Sequence, residues 1–210
     1  MIKNLLHINK KNSELTVSQK IDNLFDLLDE YIIVIDIGED LSPHNKLIVD
    51  IIQELREEIK SECGFIFPEI YIRENSGLQE NEFVVYIRNN MAAKGFLIPN
   101  QSGITDEFYD VFKTALYNNV DKIFSNELVE RYIDTAQRKN GWLIWNIVKI
   151  LSVPEIKIIL SDIISSGKSI NNIGYIFEKI GEEVLLDGGY QDNFKTQNPH
   201  NIAKKVVKFL

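Results

Sequence analysis

The hydrophobic period of this chain changes once. Up to Pro99-Asn100-Gln101-Ser102-Gly103 the apolar residues fall in short alternating runs with one helical stretch between them, and beyond that point they recur at helical spacing to the end. This divides the chain into a sheet-bearing α+β subdomain, residues 1–103, and an all-α subdomain, residues 104–210.

A chain of 210 residues with 44% hydrophobic content has enough apolar mass for a proper core. No apolar run approaches the roughly 18 residues of a membrane span, and the opening MIKNLLHINKKNSE is too short in apolar residues for a secretory leader, so a cytosolic protein is expected. Cys63 is the single cysteine, which excludes an internal disulfide framework. The net charge of −8 is uneven: residues 1–104 carry 10 Lys/Arg against 17 Asp/Glu, and residues 105–210 carry 13 against 14. A surface of that sign repels phosphate, so binding to nucleic acid or to an anionic membrane is not expected, and without an apolar span neither is membrane insertion.

Ile21, Leu24, Phe25 and Leu28 mark a first helix within Val17–Leu28, and Tyr31–Ile37 (YIIVIDI) is a β-branched run typical of a buried strand. Ser42-Pro43 reads as an N-cap followed by proline at the first helical position. The helix it opens shows one apolar face through Leu47, Ile48, Ile51, Ile52, Leu55 and Ile59, and Gly64 can end it. Glu69–Glu74 and Glu82–Arg88 alternate as strands, and Asn89-Asn90 suits a tight turn into a further strand, Met91–Ile98. The expectation is a small mixed sheet with one crossover helix. Beyond the boundary, helices are expected at about 106–124, 127–138, 142–151, 153–166, 172–186 and 199–209, with Ser152 and Glu155 at capping-box spacing and Gly167 at a C-terminal cap.

Each residue group with chemical potential has a plainer use. Lys168-Ser169 after Gly167 resembles the end of a phosphate loop, but Asp162 stands where that loop needs glycine. The helices on either side of Gly167 are spaced like a DNA-reading pair, yet the second offers one Lys and three Glu where phosphate contacts need cations. Tyr71, Phe83, Tyr86 and Lys94-Gly95-Phe96 are similar to a base-stacking sheet, but Phe83, Val85 and Ile87 read more simply as a core face. Asp36, Glu39 and Asp40 gather at a strand end, where carboxylates can hold a hard cation; a solvated acidic loop is the simpler account. Cys63 has no histidine fixed near it, since His7, His44 and His200 are scattered, and reads as a small buried side chain. Trp142 and Trp145 lie three apart and serve either the core or an aromatic patch that anchors a partner; they are the candidate partner surface. No catalytic set and no cofactor site emerges.

Several runs resemble one family. Ile72-Arg73-Glu74-Asn75, Leu78 and Asn81-Glu82-Phe83 are similar to a strand motif I-R-D-N, a leucine and an N-E-Y turn; Tyr31–Gly38 resembles the opening strand, and Ile51–Phe67 a helix closing on Gly-Phe or Gly-Tyr. Arg131–Asn140 (RYIDTAQRKN) and Leu151–Ile180 resemble the helical part, including L-S-x-x-E-(I/L), Gly167 and Ser169-Ile170. The family is FHIPEP, the large export-gate proteins of flagellar and virulence type III secretion systems, and the match is to their soluble cytoplasmic domain, over about Tyr31–Glu183. The resemblance implies a non-enzymatic docking and assembly module without cofactors, with protein partners such as secretion-apparatus subunits, and homo-oligomerisation. It also implies a reduced form: family members carry a membrane half and a further subdomain between hairpin and helices, and here Ile98 leads to Ile104 within a few residues. Two other readings stand beside it. One is a soluble adaptor or regulator in an unrelated system that reuses the fold; the other is a metal-dependent enzyme using the acidic group at Asp36, Glu39 and Asp40.

Overall fold

Ile33–Ile37 forms the central strand, β1, because every one of its five residues finds cover. This is a computed structural model, and it describes residues 31–97, 106–186 and 198–210. The expected helix at 17–28 and the boundary at 99–103 lie outside those residues. Within the described part β1 pairs in parallel with β2 (Ile70–Glu74) and antiparallel with β3 (Glu82–Ile87), which in turn pairs antiparallel with β4 (Asn90–Phe96), giving the order β2-β1-β3-β4. A parallel pair needs a crossover. The crossover here is α1 (Asn45–Cys63), so the small mixed sheet with a crossover helix is as the alternation and the helical stripe indicated.

Ile48, Ile52, Leu55 and Ile59 of α1 are buried against the sheet face formed by Ile33, Ile35, Ile37, Phe83, Val85 and Ile87, while Leu47 and Ile51 are half-buried at the edge of the stripe. Gly64 closes the helix with φ +75°, as its position suggested. The start of the helix differs from expectation. Ser42-Pro43 belongs to a 3₁₀ turn, Glu39–His44, and α1 begins only at Asn45 without a side-chain cap. Ser42 is drawn away because its hydroxyl donates to the Glu74 carboxylate at the end of β2.

The hairpin turn also sits one residue earlier than Asn89-Asn90. Ile87 pairs with Asn90, so Arg88 (φ 50°) and Asn89 (φ 62°) are the two central residues. Arginine accepts that left-handed backbone because it is held at both ends: its amide donates to the Ile32 carbonyl at 2.9 Å and its Nε to the Lys122 carbonyl at 3.0 Å. Gly95 stands opposite Phe83, and a Cβ there would meet the Phe83 ring at 2.9 Å. The glycine leaves room for that ring to reach Phe108, edge to face at 5.0 Å.

The helices follow as α2 (Asp106–Tyr117), α3 (Val120–Ile123), α4 (Asn126–Gln137), α5 (Gly141–Ile150), α6 (Val153–Ser165), α7 (Ile173–Leu186) and α8 (Pro199–Val207). The single helix expected over 106–124 is two, because Asn119 turns its side-chain amide back onto the Ala115 carbonyl at 2.9 Å and competes with the helical ladder. Ser152 and Glu155 form the capping box of α6, and Gly167 follows that helix with φ +77°.

Sheet and helices share one apolar core. Phe65 stacks on Phe124 at 5.3 Å and Phe124 on Tyr132 at 5.5 Å, carrying contact from the end of α1 into α3 and α4. Around that end three backbone carbonyls take donors from the helical half. Ser61 accepts from Asn171 Nδ2 at 2.8 Å, Cys63 from the Ile170 amide at 2.7 Å, and Gly64 from the Tyr132 hydroxyl at 2.7 Å. These are the orphan carbonyls of a helix terminus, which burial would otherwise leave costly.

Candidate functional site

Helix α5 reads GWLIWNIVKI, with Lys149 as its single charge. Asn140 caps it, its side-chain oxygen accepting from the Leu143 amide at 3.2 Å. At 100° per residue, Leu143, Ile144, Ile147 and Ile150 fall on one arc, and Trp142, Trp145, Asn146, Val148 and Lys149 on the other. The first arc faces inward: Ile144 and Ile147 are buried and Leu143 and Ile150 half-buried. Gly181 of α7 admits this side closely, since a Cβ there would come within 2.8 Å of Leu143 Cδ1.

The second arc faces outward and is also apolar. Trp142 is 73% exposed, Trp145 52% and Val148 39%. Lys149 lays its ammonium over the Trp145 ring, and Asn146 Nδ2 returns to the Trp142 carbonyl at 2.8 Å. The tryptophan pair therefore lies outside the core, and the two rings share one face with Val148 between the same turns. A surface helix normally pairs an apolar face with a polar one; this one has two apolar faces and water on one of them.

Most of the other sequence candidates are engaged in structure. Asp36 is buried on the sheet face opposite the core, where it takes Arg73 and Asn75, the latter at 2.8 Å. Glu39 and Asp40 lie exposed on the following 3₁₀ turn. Among the described residues no three His, Cys, Asp or Glu side chains converge on one point. Phe83 is buried in the core, whereas Tyr71 and Tyr86 flank Val34 on the opposite sheet face, so the strand aromatics do not form one stacking platform. On α7, Lys179 pairs with Glu182 at 2.7 Å and Glu183 with Lys205 of α8 at 2.7 Å. Asp162 holds His200 Nδ1 at 2.7 Å, and Ser169 accepts from the Asn171 amide at 3.1 Å within the turn after Gly167.

Cys63 is buried at the end of α1 and donates to the Ile59 carbonyl at 3.2 Å. Beside it, Lys113 of α2 bridges Glu58 at 2.5 Å and Glu62 at 3.1 Å. Those hydrogen bonds raise the lysine above its ordinary value and hold Glu62 below the usual carboxylate range. The Tyr117 hydroxyl donates to Glu62 at 3.1 Å, and burial pushes its ionisation well up. Arg56 lies over the Phe67 ring at 4.6 Å and donates to the Pro68 carbonyl at 3.0 Å; its partial burial lowers its pKa. These groups fasten α1 to its neighbours. The residues that sequence reasoning left out are Tyr132 and Asn171, polar side chains whose partners are 68 and 110 residues away.

Comparison with known proteins bears on the whole arrangement. Residues 7–110 match the FHIPEP family model. No curated protein matches the chain by sequence. The fold is similar to that of the Shigella flexneri MxiA protein, with a TM-score of 0.63 at 16% identity over 84% of this chain and 62% of that one. It is similar to the Chlamydia pneumoniae CdsV protein, with a TM-score of 0.66 at 13% identity over 85% of this chain and 66% of that one. The nonameric SctV-C of EPEC gives a TM-score of 0.63 at 13% identity over 84% and 64%. The chain thus spans just under two thirds of the length of these solved structures. The FHIPEP family pattern covers residues 7–110, and the fold of these solved structures continues beyond it through the helices.

Proposed function

We propose that this protein is a non-enzymatic docking and assembly module of the type III export-gate class, working in the cytosol, and that Trp142 and Trp145 are its partner surface. The observation that carries the reading is the outward arc of α5, with Trp142 and Trp145 held at 73% and 52% exposure on a helix whose opposite face is already packed. Exposed tryptophans in fixed geometry act as interface anchors, each supplying large apolar area at little entropic cost. The match of residues 7–110 to the FHIPEP family model supports the assembly role, and one structure of similar fold is a complex of CdsV with CdsO. The likeness to the nonameric SctV-C supports homo-oligomerisation as a second property.

The test is affinity capture of the tagged protein after crosslinking in cells, beside Trp142→Ala and Trp145→Ala variants shown to be folded by circular dichroism. Recovery of secretion-apparatus subunits by the parent, with both variants losing at least about tenfold, is expected, a loss of roughly 1.4 kcal/mol. Equal recovery by folded variants removes the α5 surface from the reading, and recovery of unrelated soluble proteins alone favours the adaptor.

A further inference from the structure

The charge around the exposed tryptophans indicates what covers them. From Thr135 to Pro154 the sequence has no Asp or Glu, in a chain that carries 31 of them, and the same stretch holds Arg138, Lys139 and Lys149 together with both tryptophans. Arg138 and Lys139 are exposed and lead directly into the first turn of α5, and Lys149 closes the patch over Trp145. The result is an apolar strip with cations at both ends, set in a protein of net charge −8.

Building on the docking role proposed above, we infer that the α5 face takes an acidic amphipathic segment of a partner protein, one whose apolar side chains cover Trp142, Trp145 and Val148 while its carboxylates meet Arg138, Lys139 and Lys149. Complementary charge at the rim of an apolar contact steers association and fixes register. A lipid surface fits less well. Basic side chains attract an anionic leaflet, but only three of them would work here against the repulsion of an acidic whole. A second copy of this chain is a poor complement too. In a two-fold contact the three cations would face themselves, and three of the carboxylates of α1 are already taken, Glu57 by Lys60 and Glu58 and Glu62 by Lys113.

Selection of random displayed peptides against the whole protein tests this, with the folded Trp142→Ala/Trp145→Ala double variant used to discard peptides that bind elsewhere. Tryptophan-dependent peptides rich in Asp and Glu beside Leu, Ile or Phe are expected, and Lys139→Glu with Lys149→Glu is expected to weaken them at least about tenfold, or 1.4 kcal/mol. Tryptophan-dependent peptides that are basic or neutral, or none at all, overturn the inference. So does a blue shift of tryptophan emission that phosphatidylglycerol vesicles cause and acidic peptides do not, or one that follows protein concentration alone. If cellular capture still depends on both tryptophans while the selected peptides are basic, the docking role stands and the acidic partner falls.

Discussion

Asp36 and Arg73 are register partners in the parallel pair of the sheet, and their side chains meet on the face turned away from the core. Burial is unequal: the Asp36 side chain is 2% exposed and that of Arg73 46%. A buried carboxylate depends on its partners far more than a half-exposed guanidinium does.

Removing either partner therefore has unequal effects. Asp36→Asn leaves a guanidinium that water can reach, and an unfolding loss of about 1–2 kcal/mol is expected. Arg73→Ala leaves the carboxylate to Asn75 alone and is expected to cost more, about 2–4 kcal/mol. Urea titrations that find the aspartate substitution the more damaging contradict this account.

Two glycines with the same backbone geometry predict different outcomes. Gly64 and Gly167 both have positive φ, +75° and +77°, but a Cβ on Gly64 would meet the Asn171 amide at 2.7 Å, while nothing lies within 4 Å of one on Gly167. Gly167→Ala should cost only the left-handed conformation, about 1 kcal/mol. Gly64→Ala should exceed it by at least about 1 kcal/mol, because backbone must shift. Equal losses in denaturant midpoint would refute the steric part.

Tyr132 yields a pH prediction. Burial raises its hydroxyl from 10.0 to about 12, so the folded state favours the protonated phenol. A pKa raised on folding stabilises fully below the unfolded value and is lost as pH climbs through the folded one. The gap in unfolding free energy between the parent and Tyr132→Phe, about 1–3 kcal/mol near neutrality, should therefore narrow between pH 10 and 12. A gap that stays constant to the alkaline end counts against the buried hydrogen bond to Gly64.

Trp142→Ala is expected to leave stability within about 0.5 kcal/mol, as for an exposed residue with no buried partner. Trp145→Ala should cost about 0.5–1 kcal/mol more through the lost Lys149 contact. Thermal unfolding of the two variants checks this, and a large loss at position 142 would return that ring to the core.

What was legible in the sequence follows from the range of the forces involved. The strands and helices came from local period, and the ends of α1 and α6 from Gly64, Ser152, Glu155 and Gly167, because caps are set within a few residues. Ser42 and Arg88 departed from local expectation because distant groups hold them, Glu74 in one case and the Lys122 carbonyl in the other. The tryptophans were found by spacing, but which side of α5 faced water depended on α7 and its Gly181. Tyr132 and Asn171 carried no local signal at all, since a polar side chain in an amphipathic helix or a turn reads as solvated until its partner is known.

A swinging joint needs its two parts to meet at a single flexible point. Along the chain, sheet and helices are joined between Phe96, which ends β4, and Asp106, which begins α2. The three carbonyls at the end of α1, each gripped from the helical half, add a second and separate fastening, so that a pull on the helices reaches the sheet through α1 as well as along the chain. Bending the sheet against the helices would have to break those grips first. Load applied at the tryptophan face is thus passed to the strands, and the two halves would answer a docking partner by moving together.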